Sequence, residues 1–375
     1  MNKKIPIIKQ LIENIDINKI SYPLIKSNAR TLYKLYLELK ANWELIDCNQ
    51  IKIFPDSPEY KKILHIVTNS LLSEYLFVNT ELEKLSDNCV VKISHNNISF
   101  YYLNLGKYEQ DIEHITQLFN QAYCLAKYSN ITQEVVIIWV PINSSRDWNF
   151  QTINSDTLKK SFDNFTAFTA SGVTFGTSPR ITIISRYESV DKLMLHELIH
   201  NYNLDGSNHH EHNHKLISDY KKIKNPETKV LIENYDYPYS IYESWTELYS
   251  GYLRMCFRNI MLSDEKEIIN RFITEILVEL LYSYNTICNL IKINNYSSFK
   301  DFSVNKKFFG EICTYEYYYL KGLLYNNLKL CIPKTKKQFE QVYRQIISIE
   351  KDDPLLENVF LHSVEQRNFN YVFYE

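Results

Sequence analysis

Residues 193–202 read Leu-Met-Leu-His-Glu-Leu-Ile-His-Asn-Tyr, and no other stretch restricts the folding of this chain as tightly. His196 and His200 are four residues apart. On an α-helix that spacing puts two side chains one turn apart on the same face, because each residue advances about 100° around the axis. On such a wheel His196, His200 and Leu193 fall on one side, and Met194, Leu195, Leu198, Ile199 and Tyr202 on the other. The segment is therefore expected to be a helix with an apolar face in a core and both imidazoles turned toward one point. The two positions between Glu197 and His200 carry no charge, which suits a helix buried on most sides. Two imidazoles so placed reach a single metal ion at about 2.0–2.1 Å each. Glu197, beside the first of them, is set to take a proton from a water held by that ion. Asp205 and Gly206 are expected to end the helix, with Gly206 in the left-handed conformation that glycine adopts at little steric cost.

The rest of the chain supplies the frame. Ala29 to Ile46 and Ser57 to Phe77 have helical spacing, separated by Pro55. Val90 to Ser94 and Ile98 to Leu103 are β-prone runs around Asn96 and Asn97 and read as a hairpin. Glu109 to Tyr128 is helical through Ile112, Ile115, Leu118, Phe119, Ala122 and Leu125. Val135 to Val140 is a near-continuous apolar run, expected as a buried central strand ended by Pro141. The stretch from there to about Arg180 is polar, with turn signals at Ser171, Gly172, Gly176 and Pro179, and reads as a loop. Ile181 to Arg186 reads as a strand that leads into the histidine-bearing helix. After His214 the pattern is helical again, over Ser240 to Ile260, Ser263 to Ile291, Gly310 to Leu328 and Lys336 to Ile349.

His196-Glu197-Leu198-Ile199-His200 is an HExxH sequence, and together with its flanks it resembles the active-site helix of the zincin metallopeptidases. The resemblance is specific from Thr174 to Asn203 and architectural elsewhere. Taken with the element pattern above, it gives an α+β fold in three parts. These are an N-terminal helical region over 1–88, a zincin-like α/β lobe over 89–206 ending in the motif helix, and a helical C-terminal lobe over 207–375. It also implies one catalytic Zn2+, a peptide or protein substrate, and a strand bordering the substrate, a placement to which Ile181 to Arg186 is similar. In the metzincin branch a third histidine follows at HExxHxxGxxH, but here those positions hold Asn203 and Gly206. In the gluzincin branch a downstream helix supplies glutamate. Tyr242-Glu243-Ser244-Trp245-Thr246-Glu247-Leu248 resembles that pattern, with Glu247 where the branch places an acidic residue four positions on. By this resemblance Glu243 binds zinc, and Glu247 accepts a hydrogen bond from His196 or His200 and fixes its tautomer.

On the wheel both glutamates lie opposite an apolar stripe of Ile241, Trp245, Leu248, Tyr252 and Met255, near Ser250 and Arg254. Other readings of these residues stay open. Ser240 and Glu243 have capping-box spacing, Glu247 is an alternative ligand, and His209, His210, His212 and His214 form a histidine-rich stretch that can bind metal by itself. Gluzincins also place an oxyanion donor downstream. Tyr318 is the choice among Tyr317, Tyr318 and Tyr319, with Arg254 and His362 as weaker candidates.

Composition narrows the function further. Net charge is −2, so no polybasic field points to nucleic acid or to an anionic membrane surface. The seven cysteines include no CxxC pair, which argues against a disulfide framework or a cysteine zinc finger and for a reducing compartment. The first twenty residues do not read as a signal peptide, and the longest apolar run, Val135 to Ile142, is too short to span a bilayer. An intracellular, cytoplasmic protein without a membrane anchor is expected. Rival functions are a peptide deformylase, for which Cys89 and Cys124 lack the local context, a non-peptide zinc amidase, and a zincin-like scaffold whose zinc is structural and whose role is binding a protein.

Overall fold

A computed structural model describes residues 4–46, 49–69, 89–104, 108–141, 172–175, 178–185, 190–206, 241–262, 265–293, 296–298, 301, 319–348 and 353–364. Among these the fold is mixed α/β, with one six-stranded sheet and ten α-helices. The helices are α1 (Lys4–Ile12), α2 (Tyr22–Asn42), α3 (Pro58–Thr68), α4 (Tyr108–Tyr128), α5 (Val190–Asn201), α6 (Ile241–Leu262), α7 (Ile268–Ile293), α8 (Lys321–Asn327), α9 (Lys336–Ser348) and α10 (Pro354–His362). The strands are β1 (Gln50–Ile53), β2 (Val90–His95), β3 (Ile98–Leu103), β4 (Val135–Trp139), β5 (Gly172–Phe175) and β6 (Arg180–Ile184).

The sheet runs in the order β1-β2-β3-β4-β6-β5. Its middle is parallel, with Val135 of β4 opposite Ile98 on one side and Arg180 on the other. The two ends are antiparallel, β1 and β2 at one and β5 at the other. All five residues of β4 are buried, as expected for an apolar run covered on both faces. Val135, Ile137 and Trp139 join the larger core, while Val136 and Ile138 face a smaller one with Tyr60, Ile63 and Val67 of α3. Ser57 caps α3 by accepting from the Tyr60 N–H at 3.0 Å, and Pro58 occupies its first turn.

Two strands depart from the sequence reading. Residues 1–88 read as helical, yet Gln50–Ile53 is an edge strand paired with Ile93–Val90. Four residues are too few for a periodic signal, and burial does not alternate along them: Ile51 and Lys52 are exposed and Ile53 is buried. Gly172–Phe175 lies in the stretch expected to be a loop. Its glycine and polar neighbours read as a turn, but β6 offers an open edge and the segment pairs there. The consequence is positional: β6 is paired on both sides, so the sheet edge beside the motif helix belongs to β5 and not to Ile181 to Arg186. Of the expected helix Gly310 to Leu328, the part before Tyr319 lies outside the described residues, and so does 70–77 of the segment Ser57 to Phe77.

On the larger core's side α5 packs on β5, β6 and α4, and α6 packs on α5. Helix α2 packs on α6 and α7, which ties the N-terminal residues to the C-terminal helices. Buried Asn28 of α2 makes that tie explicit. Its Nδ2 donates to the Leu328 carbonyl at 2.8 Å, and its Oδ1 accepts from the Leu330 N–H at 2.8 Å. No described helix is long and apolar enough to cross a membrane.

Candidate metal centre

Helix α5 is more buried than the wheel requires. Val190, Lys192, the run Met194 to Ile199 and Asn201 all have little exposure. Its first turn carries Asp191, which suits the positive end of the helix dipole and accepts from Arg254 Nε at 2.6 Å. Its last turn closes at Asn203, in the left-handed conformation with φ 57°. The Leu204 N–H returns to the Ile199 carbonyl at 2.9 Å and the Asn203 N–H to His200 at 3.0 Å, the paired bonds of a Schellman ending. Asparagine tolerates this conformation better than most side chains. Asn203 is therefore the residue that ends the helix, in place of the expected Asp205 and Gly206. Gly206 does have a positive φ of 69°, where a Cβ would also come within 2.9 Å of the Phe339 ring.

Helix α6 crosses α5 in the opposite direction. Arg254 meets Asp191, Glu247 meets His196, Glu243 meets both histidines, and Trp245 Nε1 donates to the Leu204 carbonyl at 3.4 Å. This crossing brings the first three predicted ligands together. His196 Nε2 and His200 Nε2 are 3.2 Å apart. Oε2 of Glu243 is 3.4 Å from the first and Oε1 is 3.4 Å from the second. Nitrogen or oxygen donors held tetrahedrally at about 2.05 Å from one ion stand about 3.3 Å apart. The spacing thus fits one small cation.

The outward ring nitrogens show how the cluster could receive a cation. His200 Nδ1 lies 2.6 Å from Asp205 Oδ2, and His196 Nδ1 lies 3.4 Å from Glu247 Oε2. A carboxylate only accepts, so each Nδ1 carries hydrogen and each neutral ring presents a lone pair at Nε2. Two lone pairs and a carboxylate then face one another, a repulsive set until positive charge enters. The same pull shows in the ionisation of these groups. Burial alone lowers His196, but hydrogen bonds with Glu243 and Glu247 outweigh it and hold the ring up at about 9. His200 is raised well above the histidine range, because Glu243 and Asp205 overcome its burial. Glu243 is held well below the carboxylate range against its burial by the two imidazoles. Two imidazoles, one carboxylate and this spacing suit zinc. The side chains of His200 and Glu243 are each 18% exposed, so solvent reaches the cluster from their side.

Glu197 is buried beside the cluster, and burial raises it above the usual carboxylate range. Strand β5 fixes it. Thr174 Oγ1 donates to Glu197 Oε2 at 3.0 Å and also stands 3.1 Å from the Glu197 carbonyl. At Gly172 an added Cβ would lie 2.6 Å from Glu197 Cγ, so only glycine lets this strand pass so close. Glu247 is held well below the carboxylate range despite its burial, with Lys192 and Lys321 as the main opposing charges.

The remaining candidates divide. Arg254 is engaged with Asp191, and His362 is exposed at the end of α10, which packs on α7. Tyr318, Tyr317, Ser240 and the histidines from His209 to His214 lie outside the described residues. Sequence reasoning missed Asp205 as the partner of His200, Thr174 as the partner of Glu197, and the two buried lysines. Lys192 had a readable signal, since it sits one turn before His196 on the same helix face. Lys321 had none. No protein-family model, curated protein or solved structure matches the chain. The functional reading therefore rests on this geometry.

Proposed function

We propose that the chain is a zinc-dependent metallopeptidase with a zincin-like, gluzincin-like site, in which His196, His200 and Glu243 hold the ion and Glu197 is the general base. The observation that carries this reading is the convergence of two Nε2 atoms and one carboxylate, 3.2–3.4 Å apart, beside a separate buried carboxylate. A purely structural site needs no such neighbour. Zinc bound there supplies Lewis acidity toward a water and a substrate carbonyl.

The chain's own residues do the rest. Glu197, oriented through Oε2 by Thr174, accepts the proton of the attacking water and returns it to the leaving amine. Its burial favours that exchange by bringing its proton affinity closer to neutral pH. Asp205 and Glu247 keep the two imidazoles in the tautomer that presents Nε2 inward. The outer edge of β5 pairs with no strand among the described residues, and Thr174 of the same strand touches Glu197. An extended peptide added to that edge would lie along the site, which favours a peptide substrate. Tyr318 remains the proposed oxyanion donor on the resemblance alone.

Glu197→Gln tests the reading. It is expected to keep one zinc per chain after dialysis and to lose between about 100- and 10,000-fold of peptide cleavage. Wild-type cleavage in that variant removes Glu197 from its role. Zinc-loaded wild-type protein that binds peptides without cutting them points to the scaffold reading, and cleavage of non-peptide amides alone points to an amidase.

A further inference from the structure

A buried cluster of charged side chains lies directly behind His196. Oε1 of Glu247 accepts from Lys192 Nζ on α5 and from Lys321 Nζ on α8, the second at 3.2 Å. Lys321 also faces Glu279 Oε2 on α7 at 3.6 Å. The lysine side chains are 7% and 1% exposed, and those of Glu247 and Glu279 are 5% and 4% exposed. Four helices thus meet in one ion cluster, and the other oxygen of Glu247 stands 3.4 Å from His196 Nδ1.

We propose that Lys192 and Lys321 are positioning residues of the metal centre, gripping Oε1 of Glu247 so that Oε2 orients His196 and the carboxylate stays out of the ligand set. The inference rests on the metal reading above and extends it. Glu243 and Glu247 are one turn apart on α6, and each has an oxygen 3.4 Å from a nitrogen of His196. They face different ring nitrogens, Glu243 the Nε2 turned toward His200 and Glu247 the outward Nδ1. The two lysines hold Glu247 on the Nδ1 side of the ring. Two lysine amino groups on one buried oxygen are also more than packing stability calls for. A buried ion pair is expensive to desolvate, and apolar side chains of similar volume commonly replace one without loss. Lys321 adds helix α8 to the site, through a residue remote in sequence from every proposed ligand.

The test is a double-mutant cycle on the full chain between Lys321→Met and Glu247→Gln, read by zinc affinity in a chelator competition and by the visible spectrum of the cobalt(II) form. Lys321→Met is expected to weaken zinc binding between about 10- and 100-fold. It should also dim the cobalt bands, as a released Glu247 raises the coordination number. In the Glu247→Gln background the same substitution should change affinity by less than about twofold, because the grip has nothing to act on. The doubly changed protein loses one buried charge of each sign, so it is the arm expected to fold most readily. Comparing it with Glu247→Gln alone decides the matter even if Lys321→Met does not fold. Equal affinities there support the proposal. An unchanged cobalt spectrum in Lys321→Met, or an equal loss in both backgrounds, overturns it and makes Lys321 a packing residue. Wild-type protein that binds no zinc overturns the metal reading itself, a distinct result.

Discussion

His200 and His196 share a helix face but are anchored by different kinds of structure. The partner of His200 is local: Asp205 is five residues on, delivered by the chain reversal at Asn203, and its Oδ2 is 2.6 Å from Nδ1. Its backbone carbonyl is held by the Tyr343 hydroxyl of α9. The partner of His196 is remote: Glu247 comes from α6, stands 3.4 Å from Nδ1, and is itself fixed by lysines of α5 and α8. One ring is set by how its own helix ends, the other by how four helices pack. The local anchor forms with the helix, whereas the remote one exists only once the helical layers have assembled. The candidate metal site therefore depends on the folding of residues far from it.

Substitutions can separate these anchors from each other and from Glu197. Gly172→Ala touches neither anchor but drives a methyl group into Glu197 Cγ, 2.6 Å away. It should lower turnover about 100-fold, the order of effect expected when a catalytic group moves by about an ångström. Zinc content should stay at the wild-type value, and a loss of zinc would show that the strand supports the anchors as well. Asp205→Asn strikes the local anchor. Zinc affinity is expected to fall between about 10- and 100-fold, and this fall should persist in the Glu247→Gln background, since the two carboxylates serve different rings. A loss that disappears there would merge the two anchors into one network. Tyr343→Phe removes only the outer support of Asp205. It should lower stability by about 1 kcal/mol, seen as a small drop in melting temperature, with zinc affinity within a few-fold of wild type. A larger affinity loss would mean that the local anchor also depends on α9.

The same division explains how much of the molecule was readable beforehand. The ligand pair was legible because the period of a helix turns a four-residue spacing into a shared face. Glu243 was legible only through its resemblance to a known pattern, since nothing in the spacing itself ties residue 243 to residue 200. Strand β4 was legible because burial on both faces leaves an unbroken apolar run, whereas β1 and β5, four residues each, are too short to carry a period. Asp205 looked like a helix ending because aspartate is common there, and its aim at His200 depends on the left-handed φ of Asn203. Lys321 carries no signal in the sequence, because a lysine is usually exposed. Its burial follows from Glu247 and Glu279, which meet it only when α6, α7 and α8 pack.

The claim beneath all of this is that His196, His200 and Glu243 bind one ion. Zinc-edge X-ray absorption on the purified protein tests it most directly, with a second sample in which His209, His210, His212 and His214 are all changed to alanine. The account predicts one zinc per chain in both samples, with the same spectrum: two imidazoles and oxygen donors at about 2.0–2.1 Å. Zinc that is absent from wild type, that survives His196→Ala, or that disappears with the histidine-rich stretch would contradict it.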